Sequence, residues 1–223
     1  MYSLLVLSCV GELEKRMMNI PISLLSKMCR YEIEIQGVDV KVSIVDRAAL
    51  VDAHIAELRS SFEKLPSVAP LVAFDIKCIP KYNGAALLIL CAGTCCLIVQ
   101  LYHIDSFPES VKRFLNDQNV CFVGVGVKEK LSKLRHWPQM CGCKTGVELG
   151  HLAARVLKKP NLDDDGCDLV ELASEVGLFY GEPKSVNAFS DWTARVFSHE
   201  QVKHATYDAY ASYRVADSLL SLL

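Results

Sequence analysis

The sequence carries no large excess of charge of either sign. Lys and Arg number 24 and Asp and Glu 26 in 223 residues, a formal net charge of −2 with the six histidines neutral. The basic excess that usually marks a nucleic-acid binder is therefore missing from the composition. No apolar run reaches the ~18 residues that span a bilayer, so no membrane span is expected. Residues 1–11, MYSLLVLSCVG, come nearest, but no basic residue precedes them and Glu12, Glu14, Lys15 and Arg16 follow. A signal peptide needs a positive segment ahead of its apolar one. The expected location is intracellular, nucleus or cytoplasm, with organelle targeting by residues 1–19 left open. The ten cysteines should then be reduced thiols. They also lack a zinc pattern. Cys141 and Cys143 form a lone C-x-C, Cys91, Cys95 and Cys96 sit in an apolar run, and neither a second C-x-x-C nor an H-x-x-x-H occurs. They read as small buried apolar side chains. Internal repeats and low-complexity linkers are absent too.

What is present is apolar. Hydrophobic residues make up 51% and charged residues 22%, which excludes disorder and suits one domain with a large core. A mean hydropathy of +0.23 implies a well-filled core or apolar surface covered by another chain. Residues 1–30 read as a partly apolar extension. From residue 31 the chain alternates apolar and polar around Gly37, a two-strand hairpin over 31–45. Residues 47–62 place Leu50, Val51, Ile55 and Leu58 on one helical face. The runs 71–76, 85–92 and 95–101 read as an antiparallel meander, punctuated by Pro80, Asn83, Gly84, Gly93 and Thr94. Beyond it helices at 108–117, 128–136, 147–157 and 168–176 surround a buried strand at 120–125. The loop 161–166, NLDDDG, lacks the downstream Glu of an EF-hand and reads as a solvated turn. A last helix runs from Ser198 to about Leu220, with Ser198 and Gln201 spaced as a capping box. The pattern is one α/β domain over 31–223.

Three places could carry chemistry. Asp75 ends a buried strand in AFDIKCIP, where α/β sheets place active groups. Residues 122–134, FVGVGVKEKLSKL, run from a strand through glycines into a helix, without the G-x-x-x-x-G-K-[ST] of a phosphate loop. Residues 202–213, VKHATYDAYASY, set Asp208 on a helix one turn after His204. In this order and spacing, LVAFDIKCIP, CLIVQL, VGVGV and QVKHATYDAYASY resemble the DEDD superfamily of 3′–5′ exonucleases, and within it the Werner-type exonuclease domains of plants. The resemblance spans residues 31–223. It implies a ribonuclease-H-like fold, a mixed five-stranded sheet flanked by helices, and a site in which four carboxylates hold two Mg²⁺ or Mn²⁺ ions on a phosphodiester.

At the matching positions this chain departs from the family. The family's Asp-x-Glu reads Asp75-Ile76-Lys77. The Asp expected four residues after the last glycine is Lys130. Tyr-Ala-x-x-Asp becomes a segment from His204 to Asp208, with His where Tyr belongs. In sister families a catalytic histidine lies five residues before the Asp rather than four. Glu129 neighbours Lys130 but projects about 100° away on a helix. Asp75 and Asp208 contribute −2 and Lys77 and Lys130 contribute +2, so the site sums to zero. An ammonium about 4 Å from a divalent ion repels it by roughly 8 kcal/mol at an effective dielectric near 20. Asp75, Lys77, Lys130, His204 and Asp208 are thus degenerate catalytic positions, with the lysines expected to pair with Asp75 and Asp208. No cofactor is expected, and Mg²⁺ or Mn²⁺ only if the chain is active.

Two classes of function follow. One is a binding or scaffold protein that has kept the fold without the chemistry, with protein partners or self-association. The other is a nucleic-acid binder, with residual or full exonuclease activity, whose basic track would use Lys128, Lys133 and Arg135 beside Lys130.

Overall fold

The computed structural model describes residues 21, 24, 27–62, 70–79, 84–134, 143–163, 167–181 and 191–223. Residues 1–19, Pro80, Asn83, Arg135 and Cys141 lie outside the described residues. The chain divides into two compact units, Met1–Arg30 and Tyr31–Leu223. In the first, Leu24, Lys27 and Met28 are helical.

The second unit is built on one mixed sheet. Its strands are β1 (Arg30–Ile35), β2 (Val38–Val45), β3 (Leu71–Cys78), β4 (Ala85–Ala92), β5 (Cys95–Gln100), β6 (Cys121–Gly124) and β7 (Gly146–Glu148). They lie in the order β1-β2-β5-β4-β3-β6-β7. The hairpin β1–β2 joins the sheet through a parallel pairing of β2 with β5. The meander is antiparallel, as its three apolar runs imply, and β6 and β7 add in parallel beside β3. The helices are α1 (Ala48–Phe62), α2 (Glu109–Leu115), α3 (Val127–Lys133), α4 (Leu149–Leu157), α5 (Leu169–Glu175) and α6 (His199–Leu220). Among the described residues no helix is long and apolar enough to cross a membrane.

Two expectations need correction. The sheet has seven strands, not five. The helix expected from residue 147 starts at Leu149, because Val147 and Glu148 pair instead with Val123 and Gly124 on the open edge of β6. A strand of three residues is too short to show a period-two pattern.

Core placement follows from strand alternation. The edge strand β1 buries Ile33 and Ile35 while Glu32 and Glu34 face out. The central strands β3, β4 and β5 are buried along almost their whole length, which is why they read as continuous apolar runs. In β3, Leu71 and Ala73 share a core with Val202, Ala205 and Ala209 of α6. Alternation carries that row on to positions 75 and 77. Asp75 and Lys77 therefore project from the same sheet face, the one that α6 covers. The capping box at Ser198 and Gln201 is formed on both sides and fixes where α6 begins.

Candidate functional site: a carboxylate–lysine cluster

Asp75 sits near the carboxyl end of β3, a few per cent exposed. Two lysines reach it. Lys77 Nζ lies 3.0 Å from Asp75 Oδ2 and 2.5 Å from Asp208 Oδ2. Lys130 Nζ lies 2.6 Å from Asp75 Oδ1. Toward Asp208 the Lys77 contact is an aligned hydrogen bond. Toward Asp75 Oδ2 it is a close ion pair without hydrogen-bond alignment. The structure thus gathers Asp75, Lys77, Lys130 and Asp208 into one cluster from β3, α3 and α6.

Each arm of the cluster has a local cause. Lys77 follows Asp75 by two residues and shares its face. Lys130 is aimed by the turn before α3. Gly124 passes so close to β3 that a Cβ there would lie 2.5 Å from the Phe74 carbonyl oxygen, and Gly126 takes a left-handed φ of +66°. The backbone N–H groups of Gly126 and Val127 then donate to Glu148 Oε1 and Oε2, at 2.7 and 2.9 Å. A carboxylate at the start of a helix satisfies otherwise unpaired donors and complements the helix dipole. It holds α3 so that Lys130 points at Asp75.

The charges stabilise one another. Burial alone would push the Asp75 carboxyl up, but the ammonium groups of Lys77 and Lys130 outweigh it and hold Asp75 below the usual carboxylate range. Burial would likewise lower Lys77, yet Asp75 and Asp208 reverse that and raise it above an ordinary lysine. Both groups stay ionised at neutral pH. Cys78, next along β3, is pushed up chiefly by burial, which favours the thiol over the thiolate.

Sequence reasoning missed Tyr180. Its hydroxyl donates to Asp208 Oδ1 at 2.6 Å, and its ring packs against Tyr207 with centroids 5.0 Å apart. The short segment Leu178–Gly181 is pinned by Gln36, whose amide donates to the Phe179 carbonyl and to the Tyr207 hydroxyl. Nothing in the residues around Tyr180 marks this contact. Glu148 was missed for the same reason as β7. His204 is placed elsewhere, its ring flat against Trp192 at 5.9 Å and 8°. Glu129 is turned outward and pairs with Lys133 at 3.2 Å. Lys128 is exposed. An open cleft of about 1060 Å³ beside the cluster is lined by Lys128 and Lys130, but also by Glu129, Glu148 and Asp163.

A 3′–5′ exonuclease family model matches residues 42–223. The chain belongs to that family. RNase D of Escherichia coli, an exoribonuclease involved in structured RNA processing, superposes with a TM-score of 0.63 at 14% identity, over 81% of this chain and 44% of RNase D. At that identity the likeness shows the fold alone, the ribonuclease-H-like exonuclease fold, and the chain spans less than half the length of RNase D. The EXD2 exonuclease domain soaked in Mn and Mg is 27% identical over 81% of this chain and 89% of that domain, with a TM-score of 0.47. A crystal of the same domain soaked in Mg and dGMP gives 27% identity, a TM-score of 0.47, and coverage of 82% and 90%. No curated protein matches the sequence.

In an exonuclease fold the question is whether this cluster fits a divalent metal. It does not. Among the described residues no group of three or more His, Cys, Asp or Glu side chains could hold a metal ion. The four oxygens of Asp75 and Asp208 are each already in contact with an ammonium or a hydroxyl. Hard divalent ions need several oxygen ligands at 2.0–2.6 Å or so, and these oxygens are occupied.

Proposed function

We propose that this is a catalytically inactive member of the 3′–5′ exonuclease family that acts by binding, to protein partners or to further copies of itself. One observation carries the reading: two ammonium groups sit on the two carboxylates of the cluster, so its formal charge is zero where metal-assisted hydrolysis needs a strongly negative cage. A water activated by a metal has no place in a neutral, internally paired cluster. Of the positions where the chain resembles the family's three motifs, two hold lysine, Lys77 and Lys130, in place of an acid.

The preference for protein over nucleic acid rests on what the lysines do. Lys130 and Lys77 are spent on carboxylates and Lys133 on Glu129, and the neighbouring cleft mixes both signs of charge. A phosphate backbone is followed by several cations that face outward, and among the described residues of the expected track only Lys128 is fully exposed. Large apolar side chains are exposed instead, Phe179 at 81% and Val196 at 79%. A location inside the cell, in nucleus or cytoplasm, belongs to the same proposal.

Incubation with labelled single-stranded and recessed DNA and RNA, in Mg²⁺ and in Mn²⁺, should give no shortening from the 3′ end. Degradation abolished by Asp75→Ala would overturn the reading. Titration of a labelled oligonucleotide against salt separates the two classes of binder. A steep loss of affinity between about 50 and 200 mM salt would favour nucleic acid. No binding at low salt, with a light-scattering mass above one chain, would favour self-association.

A further inference from the structure

A site that rejects a metal still has to solve the problem a metal solves. Asp75 and Asp208 come from β3 and α6, and without a cation between them two carboxylates, one of them buried, would repel across that contact. The position that settles this is Lys77 Nζ. It touches the Oδ2 atoms of both carboxylates. The remaining oxygens are taken by Lys130 on Asp75 Oδ1 and by the Tyr180 hydroxyl on Asp208 Oδ1. A free cation would therefore have to displace an existing partner at every oxygen it sought.

We infer that Lys77 is the resident cation of this fold: its ammonium, tethered to β3, fills the slot between Asp75 and Asp208 and joins β3 to α6 with no need of a metal ion. The inference rests on the reading above that the cluster is not a metal site, and adds what replaces the metal and what the replacement does. Lys77 cannot readily yield its place. Its side chain is 14% exposed and that of Asp75 4%, so swinging the lysine outward would leave Asp75 buried with Lys130 alone. A divalent ion brought to a neutral cluster containing two ammonium groups gains no net attraction.

The consequence runs against the usual direction of mutagenesis. Taking Lys77 away leaves Asp75, Asp208 and Lys130 with a net charge of −1, and two Oδ2 atoms facing one vacated position. Deleting a lysine should create sensitivity to a metal that the natural chain ignores.

The test uses the full chain with Mn²⁺ as probe, in calorimetric titration and thermal unfolding. The natural chain should show no stoichiometric binding, and its Tm should be the same in EDTA and in millimolar Mn²⁺. Lys77→Ala should melt about 6 °C lower or more in EDTA and recover a good part of that loss in Mn²⁺. Lys77→Met, which keeps most of the apolar stem, makes the same comparison should the alanine variant not fold. The titration of the natural chain stands on its own. Stoichiometric Mn²⁺ binding by the natural chain, or a Tm that falls in EDTA, overturns the inference, as does a folded Lys77 variant whose Tm ignores Mn²⁺. The two readings fail separately: a natural chain that binds Mn²⁺ and degrades nothing sinks this inference alone, whereas Asp75-dependent degradation sinks the proposed function.

Discussion

Two sets of polar side-chain contacts differ mainly in burial. Asp75, Lys77 and Lys130 meet with Asp75 almost fully enclosed. His151 and Asp163 meet at 2.9 Å with about half of each side chain in solvent, and Glu129 pairs with Lys133 while itself 75% exposed. The contact distances are alike. What differs is the cost of breaking them. An exposed partner returns to water when its mate is removed, while a buried one is left charged in a medium that cannot solvate it. The geometry of an ion pair therefore says little about its importance until burial is known.

The largest effect should follow from Asp75→Ala. It strands two lysines against the single carboxylate of Asp208, and a loss of about 3–5 kcal/mol in urea-unfolding stability is expected. A loss below 1 kcal/mol would place this cluster with the exposed pairs and erase the contrast. Lys130→Ala should cost less, about 1–2 kcal/mol, because Lys77 still contacts Asp75 and the Lys130 side chain is 29% exposed.

The contrast can be sharpened with pH. Asp75 is held below its ordinary 3.8 in the folded chain, so its contribution is present above that value and disappears as pH falls through the lower folded one. Lys77 is raised above its ordinary 10.5, so its contribution is complete below 10.5 and disappears as pH climbs through the higher folded value. Across neutral pH the cluster should contribute a constant amount. On the acid side the stability gap between the natural chain and Asp75→Ala should shrink only below about pH 4, and on the alkaline side only above 10.5, read from urea midpoints at a series of pH values. A gap that shrinks between pH 6 and 8 would assign the effect to some other group.

How much of this could be read without coordinates depended on the range of each interaction. The sheet announced itself because a strand buried on both faces must be a continuous apolar run, as 85–92 is. The capping box was legible because it closes within four residues. The cluster was half legible. The spacing of Asp75 and Lys77 puts both on one face by strand geometry alone, but bringing Lys130 and Asp208 to them required the family resemblance. Tyr180 and Glu148 were invisible, since each acts at long sequence range on a backbone or carboxylate partner, from a loop or a strand of three residues. His204 was placed with Asp208 by helical spacing, and its stacking on Trp192 depended on a loop whose path no local pattern gives.

Tyr180→Phe removes one hydroxyl from Asp208 Oδ1 and leaves the ring on Tyr207. Asp208 is about one-third exposed, so water can replace the lost donor, and a cost near 1 kcal/mol is expected by urea unfolding. The variant should leave the response of the chain to Mn²⁺ unchanged if Lys77 alone holds the slot.

The smallest effect belongs to His151→Ala. The pair it breaks is short at 2.9 Å, shorter than the contact between Lys77 and Asp75, and a ranking by distance alone would make it the stronger of the two. Burial predicts the reverse. With about half of each side chain in water, Asp163 regains its hydration once the imidazole is gone, and the expected change is within about 0.5 kcal/mol. Salt should make the point independently. Raising ionic strength screens a solvent-facing ion pair and hardly touches an enclosed one, so the small cost of Glu129→Ala, which removes the exposed partner of Lys133, should fall toward zero in 1 M NaCl while that of Asp75→Ala stays. If His151→Ala instead cost as much as Lys130→Ala, distance rather than burial would govern the polar contacts of this fold, and the case for Lys77 as an enclosed, tethered cation would lose its physical basis.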